Sequence, residues 1–360
     1  MLFASLVIVS HSPQILEGSL ANEPLTRLFG TITLGAFAVD FFFVISGYLI
    51  SGSYLSSRTL TSFLQKRVLR IYPAFVVAYL ASVFLVGPFV GGRLDELGFG
   101  GYLKLFARML TLDVPLLDGA FARLPEAKLN SPMWTISYEF RCYLLVPALG
   151  VLGLLRRRWL ALGLTVALLA AHAAIVHFQL QPTWGPLSDL PSSKAIFREP
   201  AAMIRLVAMF MSGVSLRLFR DEIRFDGRIA AGCAAGAVLL LFVPALAELG
   251  LATLGAYAVF WVAFTKRLPF LRHVNNDWDV SYGVYLYAWP VACVIALYAP
   301  QISPLTLTCV TFVVVCGLAA LSWRLVEEPC LKLKRRGVAR AVARPDVGGE
   351  TAVPEGRTPQ

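Results

Sequence analysis

The chain has 360 residues, of which 57% are hydrophobic and 15% charged, and its mean hydropathy is +0.68. Soluble domains are about 45–50% apolar and about 25% charged, because their surface must be covered with polar groups. This composition excludes a soluble enzyme, a disordered protein and a disulfide-stapled secreted domain. The net charge of +10 does not indicate a nucleic-acid partner, because membrane proteins collect Lys and Arg in their cytoplasmic loops.

Long apolar runs dominate the sequence from its start. A bilayer core of about 30 Å is crossed by a helix of roughly 20 apolar residues. Runs of this kind predict an all-α fold, a polytopic membrane bundle of about ten transmembrane helices. The predicted helices cover 1–17, 30–52, 71–92, 134–154, 159–178, 200–218, 229–246, 249–265, 280–299 and 304–326. Residues 1–333 are expected to form one transmembrane domain, followed by a disordered basic tail over 334–360.

Positive charge is distributed unevenly between the connections. The connections after the even-numbered helices, with the C-terminal tail, hold 21 Lys and Arg residues, whereas the alternate connections hold 8. Since positive charge collects on the cytoplasmic side, we expect both termini in the cytoplasm. The six cysteines form no Cys-x-x-Cys pair and no zinc spacing, so free thiols and no metal are expected.

Ionisable residues inside the predicted spans call for an explanation, because a charge there costs at least about 2.5 kcal/mol. His11 and Asp40 lie at similar depth in the first two helices, and Glu139 and Arg141 lie near the outer end of the fourth. If these helices are neighbours, the groups share one central layer. His11 is a candidate base or a hydrogen-bonding strut, and Asp40 is a candidate partner of His11 or of an arginine.

A second polar layer is expected at the cytoplasmic face. Lys66, Arg67 and Arg70 stand at the mouth of the third helix, followed by Tyr72. These cations fit the ordinary positive-inside signal. They equally fit an anion site, because the planar fork of Arg matches phosphate oxygens. Glu328, at the end of the last helix, is a candidate partner for the arginines.

Six blocks in order along the chain form a pattern. They are the first-span His11, FAVDFFFVISGYLI (37–50), KRVLRIYPAF (66–75), LNSPMWTISYEFRCYLL (129–145), DVSYGVYLYAWPV (279–291) and RLVEEPCLKL (324–333). Together they resemble the acyltransferase-3 family of integral-membrane acyltransferases over the chain up to about residue 333. Members often carry a basic residue eleven positions before the first-span His, so either the chain starts further upstream or this branch lacks that cation. Many also carry a His where this chain has Ala288.

The resemblance implies an O-acyltransferase of the bacterial cytoplasmic (inner) membrane. Members move an acyl group, commonly acetyl, from cytosolic acyl-CoA to a hydroxyl of a cell-envelope or secreted carbohydrate such as O-antigen or exopolysaccharide. The implied partners are acetyl-CoA as co-substrate, a carbohydrate acceptor and the lipid bilayer. The resemblance leaves open a homo-oligomer or a complex with polysaccharide-assembly proteins. The alternatives are a transporter of glycans or lipid-linked saccharides, and an acyltransferase for macrolide-type small molecules.

The resemblance also implies residue roles. His11 is the expected general base for the acceptor hydroxyl, and Asp40 or Glu139 is expected to orient its imidazole. A covalent acyl-His11 intermediate and Ser46 as nucleophile are the alternatives. The acceptor is expected to approach along the 93–133 loop. Two sets complete the expected site: Lys66, Arg67, Arg70 and Tyr72 for the donor, and Asn130, Trp134, Arg141 and Tyr282 for the acceptor and the oxyanion.

Overall fold

The computed structural model describes residues 1–183, 199–265 and 279–332. These residues form helices and no β-strand, which confirms the all-α class. The predicted disordered tail, 334–360, lies outside the described residues. The helices are α1 Leu2–Glu17, α2 Pro24–Phe29, α3 Leu34–Leu55, α4 Leu60–Leu80, α5 Phe99–Leu110, α6 Trp134–Val151, α7 Arg158–His177, α8 Pro200–Leu218, α9 Gly227–Leu240, α10 Pro244–Phe264, α11 Ser281–Tyr298 and α12 Pro304–Lys332.

Seven of the described helices are long and apolar enough to cross a membrane: α3, α4 with its extension to Val90, α7, α8, α10, α11 and α12. The apolar helices α1 and α9 are shorter, with 16 and 14 residues. Each of the ten predicted ranges overlaps one of the described helices. How many of them cross the bilayer, and on which side the termini lie, stay predictions.

The predicted boundary between 229–246 and 249–265 is wrong. The chain turns at 241–243, and α10 begins at Pro244. Proline suits this first helical position, because its fixed φ matches a helix and its missing N–H would have had no partner there. Glu248, which the sequence placed at the break, therefore lies inside a helix.

The 93–133 segment is folded onto the bundle and is not an open loop. It contains α5, which lies along α4: Tyr79 Oη donates to the Leu105 carbonyl at 3.0 Å, and Tyr72 Oη donates to the Leu110 carbonyl at 2.9 Å. Several apolar side chains of α5 are exposed, which suits contact with lipid: Phe99 86%, Leu103 56% and Phe106 53%.

Helices α3 and α8 cross with their backbones in near contact. A Cβ at Gly47 would stand 1.9 Å from the Phe210 carbonyl oxygen, and one at Gly213 would stand 1.8 Å from the Val44 carbonyl oxygen. Only glycine, which has no Cβ, allows this approach. Helix α1 packs on α3, α11 and α12. These contacts gather α1, α3, α6, α8 and α11 around the polar residues of the bundle.

Candidate active site

Two cavities lie one after the other along α3. The first has a volume of about 390 Å³ and is lined by α3 from Val39 to Ile50 and by Lys66, Arg67 and Arg70. We call it the basic cavity. The second has a volume of about 160 Å³ and is lined by His11 and by α3 residues between Thr33 and Val39. We call it the His11 cavity. The two cavities thus occupy opposite ends of a helix of 22 residues.

A single layer of side chains separates the cavities. Val39, Thr135 and Tyr285 line both of them. Each comes from a different helix, namely α3, α6 and α11. We call these three residues the shared wall. Whatever passes from one cavity to the other along this route passes these side chains.

The hydrogen bonds of His11 define which of its nitrogens is free. Nδ1 lies 2.9 Å from Gln14 Oε1, and Gln14 Nε2 donates to Glu126 Oε1 at 3.3 Å. Since a carboxylate only accepts, Gln14 presents its NH₂ to Glu126 and its carbonyl to His11. Nδ1 therefore carries the proton and Nε2 is the acceptor. No described residue forms a hydrogen bond with Nε2.

The imidazole is also held by an aromatic ring. Trp289 meets His11 edge-on, with the ring centroids 4.9 Å apart, and its Nε1 donates to the Lys128 carbonyl at 2.7 Å. The segment that carries Lys128 reaches α1 at Gly18, where a Cβ would lie 2.7 Å from Pro125 Cβ and φ is +68°. Both conditions require glycine. Residues 125–128 thus hold His11 through Gln14, which donates to Glu126, and through Trp289, which donates to the Lys128 carbonyl.

Asp40 contacts Arg205 and not His11. Arg205 donates to Asp40 Oδ1 at 2.8 and 3.1 Å and to the Ala36 carbonyl at 3.3 Å. Asp40 is fully buried, and a buried charge needs a partner. Of the two alternatives raised by the sequence, the structure shows the ion pair with an arginine. Arg205 lines the His11 cavity. No role was expected for Arg205, although an arginine within a predicted membrane span is itself a signal of function.

Glu139 belongs to the other cavity. It lines the basic cavity with Arg67 and Arg70, and Tyr143 Oη donates to its Oε1 at 2.5 Å. The expected central layer is therefore divided between the two cavities. Neither carboxylate named from the sequence holds the imidazole of His11; among the described residues Gln14 holds it.

Arg70 is already neutralised by carboxylates. It forms ion pairs with Asp279 and, at 3.6 Å, with Glu327. The partner on the last helix is therefore Glu327 and not Glu328, which pairs with Lys332 at 2.7 Å. One residue along a helix turns a side chain by about 100°, so spacing alone left this choice open.

Lys66 and Arg67 are the cations of the basic cavity that have no carboxylate within ion-pair distance in the described parts of the chain. Lys66 Nζ donates to Ser57 Oγ and Arg67 Nη2 donates to Ser53 Oγ, both at 3.3 Å. Arg67 Nε is buried and, among the described residues, has no hydrogen-bond partner. A buried donor without a partner is costly, so the cavity is suited to an anionic group.

Of the remaining expected residues, three line a cavity. Trp134 lines the His11 cavity, whereas Tyr282 lines the basic cavity and donates from its Oη to the Ile71 carbonyl at 3.1 Å. Ser46 also lines the basic cavity, beyond the shared wall from His11. The sequence had grouped Trp134 and Tyr282 on the acceptor side.

The other expected residues line neither cavity. Asn130 is buried and ties the segment before α6 to its neighbours, with its Nδ2 donating to the Leu286 carbonyl at 2.9 Å. Arg141 donates to the Ser137 carbonyl at 2.8 Å, one turn back in α6. Tyr72, expected on the donor, holds α5 instead.

Position 288 also faces away from both cavities. Ala288 is buried with Ala4 and Ile8 of α1 and with Val315 and Ala319 of α12. These small and branched side chains pack closely. Here the position serves helix packing.

The sequence of residues 1–324 matches the model of the acyltransferase-3 family, described as an acyltransferase domain. The chain belongs to the acyltransferase-3 family. It is accordingly a multi-pass membrane acyltransferase, and the described residues of the six blocks lie on or next to the helices that line the two cavities.

Several curated proteins resemble this acyltransferase. Nodulation protein 10 of Rhizobium leguminosarum bv. viciae is 26% identical over 334 residues, with 85% of this chain and 84% of the relative covered. An O-acetyl transferase of Shigella phage Sf6 is 27% identical over 334 residues, with 90% and 92% covered. The acyltransferase MdmB of Streptomyces mycarofaciens is 26% identical over 203 residues, covering 53% of this chain and 49% of its own. No solved structure matches the chain.

Proposed function

We propose that this acyltransferase-3 member transfers an acetyl group from cytosolic acetyl-CoA to a hydroxyl of a cell-envelope or secreted carbohydrate, in the bacterial cytoplasmic membrane. The observation that carries the proposal is the position of His11. His11, whose Nε2 has no hydrogen-bond partner among the described residues, lines a cavity that shares a wall with a second, basic cavity. The name of the phage relative, an O-acetyl transferase, supports acetyl as the group transferred.

The basic cavity suits the donor. Its volume of about 390 Å³ falls within the range of about 300–1,000 Å³ that small-molecule sites occupy. Lys66 and Arg67 would bind the phosphates of coenzyme A at the mouth of the basic cavity. Charge-assisted hydrogen bonds of this kind hold phosphates in other proteins. Apolar residues of α3 would line the path of the pantetheine arm towards the shared wall.

The His11 cavity suits one edge of an acceptor. At about 160 Å³ it is smaller than the range of about 300 Å³ and above typical of sites that enclose a whole ligand. It would therefore admit the hydroxyl-bearing edge of one sugar while the rest of the carbohydrate stays outside. Trp134 in its lining offers the apolar ring face against which a sugar ring packs.

The proposed chemistry uses His11 as a general base. Nε2 takes the proton of the acceptor hydroxyl as its oxygen attacks the thioester carbonyl. The Nδ1–H bond to Gln14 keeps the imidazole in the tautomer that this step requires. Because Gln14 is neutral and Glu126 is the next group, the positive imidazolium is stabilised through one intervening amide.

Replacing His11 with Ala tests the proposal. We expect acetylation of the surface or secreted glycan to fall at least about 100-fold, because general-base catalysis contributes about that much. His177→Ala is the matched control, since this exposed histidine ends α7 and lines neither cavity. Acetyl groups are counted by mass spectrometry of purified glycan, with the membrane content of each variant measured by immunoblot.

The outcomes separate the parts of the proposal. Normal acetylation by the His11→Ala variant would remove His11 from the mechanism. An unchanged acetyl count on every glycan of cells lacking the protein would contradict the carbohydrate acceptor. A change in glycan amount without a change in decoration would instead favour a transporter.

A further inference from the structure

The shared wall is the place where the two proposed substrates meet. A thioester in the basic cavity and a hydroxyl in the His11 cavity are separated by Val39, Thr135 and Tyr285. These three residues line both cavities and can therefore contact both substrates. Val39 has no polar side-chain atom, so Thr135 and Tyr285 supply the hydrogen-bond donors at this point.

The two hydroxyls form a closed hydrogen-bonded triangle with a carbonyl. Tyr285 Oη donates to the Pro132 carbonyl at 2.7 Å, the two hydroxyl oxygens are 2.6 Å apart, and Thr135 Oγ1 lies 3.3 Å from the same carbonyl. The shorter contacts assign the protons. Tyr285 donates to Pro132, and Thr135 donates to the Tyr285 oxygen.

This arrangement leaves one proton that can be redirected. Thr135 can turn its O–H from Tyr285 towards a new acceptor while the bond from Tyr285 to Pro132 stays in place. Both side chains are almost fully buried, with Thr135 6% and Tyr285 8% exposed. A donor in such a buried site stabilises a developing negative charge strongly, because little water is present to screen the interaction.

Helix α11 connects the wall to the base. Tyr285 is one helical turn before Trp289, the residue whose ring meets His11 edge-on, so both lie on the same side of α11. Tyr285 lines the His11 cavity together with His11 itself. The base and the hydroxyl pair therefore border the same space.

We infer that the Thr135 hydroxyl, positioned by the Tyr285 hydroxyl, is the hydrogen-bond donor to the thioester carbonyl oxygen as it becomes an oxyanion. This inference rests on the proposed function. The acceptor oxygen bonds to the carbonyl carbon, its proton moves to His11 Nε2, and the carbonyl π pair moves to oxygen. When the C=O bond re-forms, the C–S bond breaks and the coenzyme A thiolate takes the proton from Nε2.

The test removes each hydroxyl without changing the shape of the side chain. Thr135→Val should lower kcat for acetyl transfer about 100-fold, the usual effect of losing one oxyanion donor. Tyr285→Phe should lower kcat by less, because the Thr135 hydroxyl loses the oxygen that positions it. The KM for acetyl-CoA should stay within about twofold, because the bond forms only as charge develops. Thr135→Ser, which keeps a hydroxyl, should retain most of the activity.

Two matched variants serve as controls. Thr165→Val removes a buried hydroxyl that bonds to Ser215 on α8 at 2.8 Å, and Tyr287→Phe removes one that bonds to Ser322 at 3.1 Å on α12. Neither residue lines a cavity. Both should keep the wild-type kcat per inserted molecule.

The results distinguish this inference from the proposed function. If wild-type protein acetylates the glycan but Thr135→Val and Tyr285→Phe match it in kcat, the inference is overturned and the function stands. The same holds if the controls lose as much as the wall variants, which would indicate a structural role. If wild-type protein transfers no acetyl group from acetyl-CoA to any glycan, the proposed function itself fails.

Discussion

At the scale of single residues, the amide of Gln14 defines the protonation of His11. An imidazole alone can carry its proton on either nitrogen, and the choice decides which one can act as a base. The bond from Gln14 Nε2 to Glu126 orients the amide, and the amide then orients the ring. Three side chains from two segments therefore determine the chemistry of one nitrogen.

A charge exchange tests this chain of hydrogen bonds. Gln14→Glu should lower acetyl transfer, because the new carboxylate lies against Glu126 and the like charges repel. Adding Glu126→Gln should restore much of the loss, since the amide then donates to the new carboxylate, which still accepts from Nδ1–H. Gln14→Leu, which has no acceptor, should cost up to about 100-fold in kcat through misplacement of the ring.

The measurement is kcat for each single variant and for the double variant, per molecule of inserted protein. A double variant no better than Gln14→Glu, or a Gln14→Leu variant with wild-type kcat, would show that the amide does not position His11.

Sequence motifs identified the residues with unusual chemistry but not their partners. His11, Arg67 and Glu139 stood out because an apolar helix rarely carries them, and all three line a cavity. Gln14 and Glu126 were missed because they are ordinary polar residues, separated by 112 positions, whose contact exists only in the folded chain.

At the scale of helices, the crossing of α3 and α8 depends on two glycines. Gly47→Ala should destabilise the protein by about 1–3 kcal/mol or more, because its Cβ would stand 1.9 Å from the Phe210 carbonyl oxygen and the helices must separate. Gly163→Ala is the control. This glycine of α7 has nothing within 4 Å of the added carbon, so the change should be neutral or slightly stabilising.

The thermal melting of purified protein in detergent measures both effects. Equal melting temperatures for the Gly47→Ala variant and the wild type would mean that α3 and α8 can separate without cost. We also expect the Gly47→Ala variant to lose acetyl transfer, since the same crossing brings Arg205 to Asp40.

The apolar runs predicted helix positions correctly where the run and the helix have the same bounds, as for 200–218. The short helices α2 and α5 escaped prediction, because a segment of 6 or 12 residues lies well below the length of a membrane span. In α5 the two glycines at its start, Gly100 and Gly101, also lower its helix propensity. Packing of α5 on Tyr72 and Tyr79 compensates for both.

At the scale of the whole molecule, the proposed function assigns the donor to the basic cavity and the acceptor to the His11 cavity. Arg67→Ala should raise the KM for acetyl-CoA about tenfold or more, because a hydrogen bond to a charged group contributes about 1.5–3 kcal/mol. The kcat at saturating donor should change little, since Arg67 is not at the shared wall.

Arg58→Ala is the matched control for this prediction. Arg58 is exposed in the connection between α3 and α4 and lines neither cavity, so its loss removes the same charge from the same end of the molecule. An equal rise in KM for both variants would assign the effect to general attraction of an anion and not to contact with Arg67.

The thinness of the shared wall affects more than turnover. Under the proposed function the two cavities open to opposite sides of the membrane, and Val39, Thr135 and Tyr285 would then separate the aqueous phases along this route. A cell that stores energy as a proton gradient would then tolerate few substitutions here, because even a faster enzyme would be harmful if it let protons through. Selection would then act on proton leakage and on catalytic turnover at the same three residues.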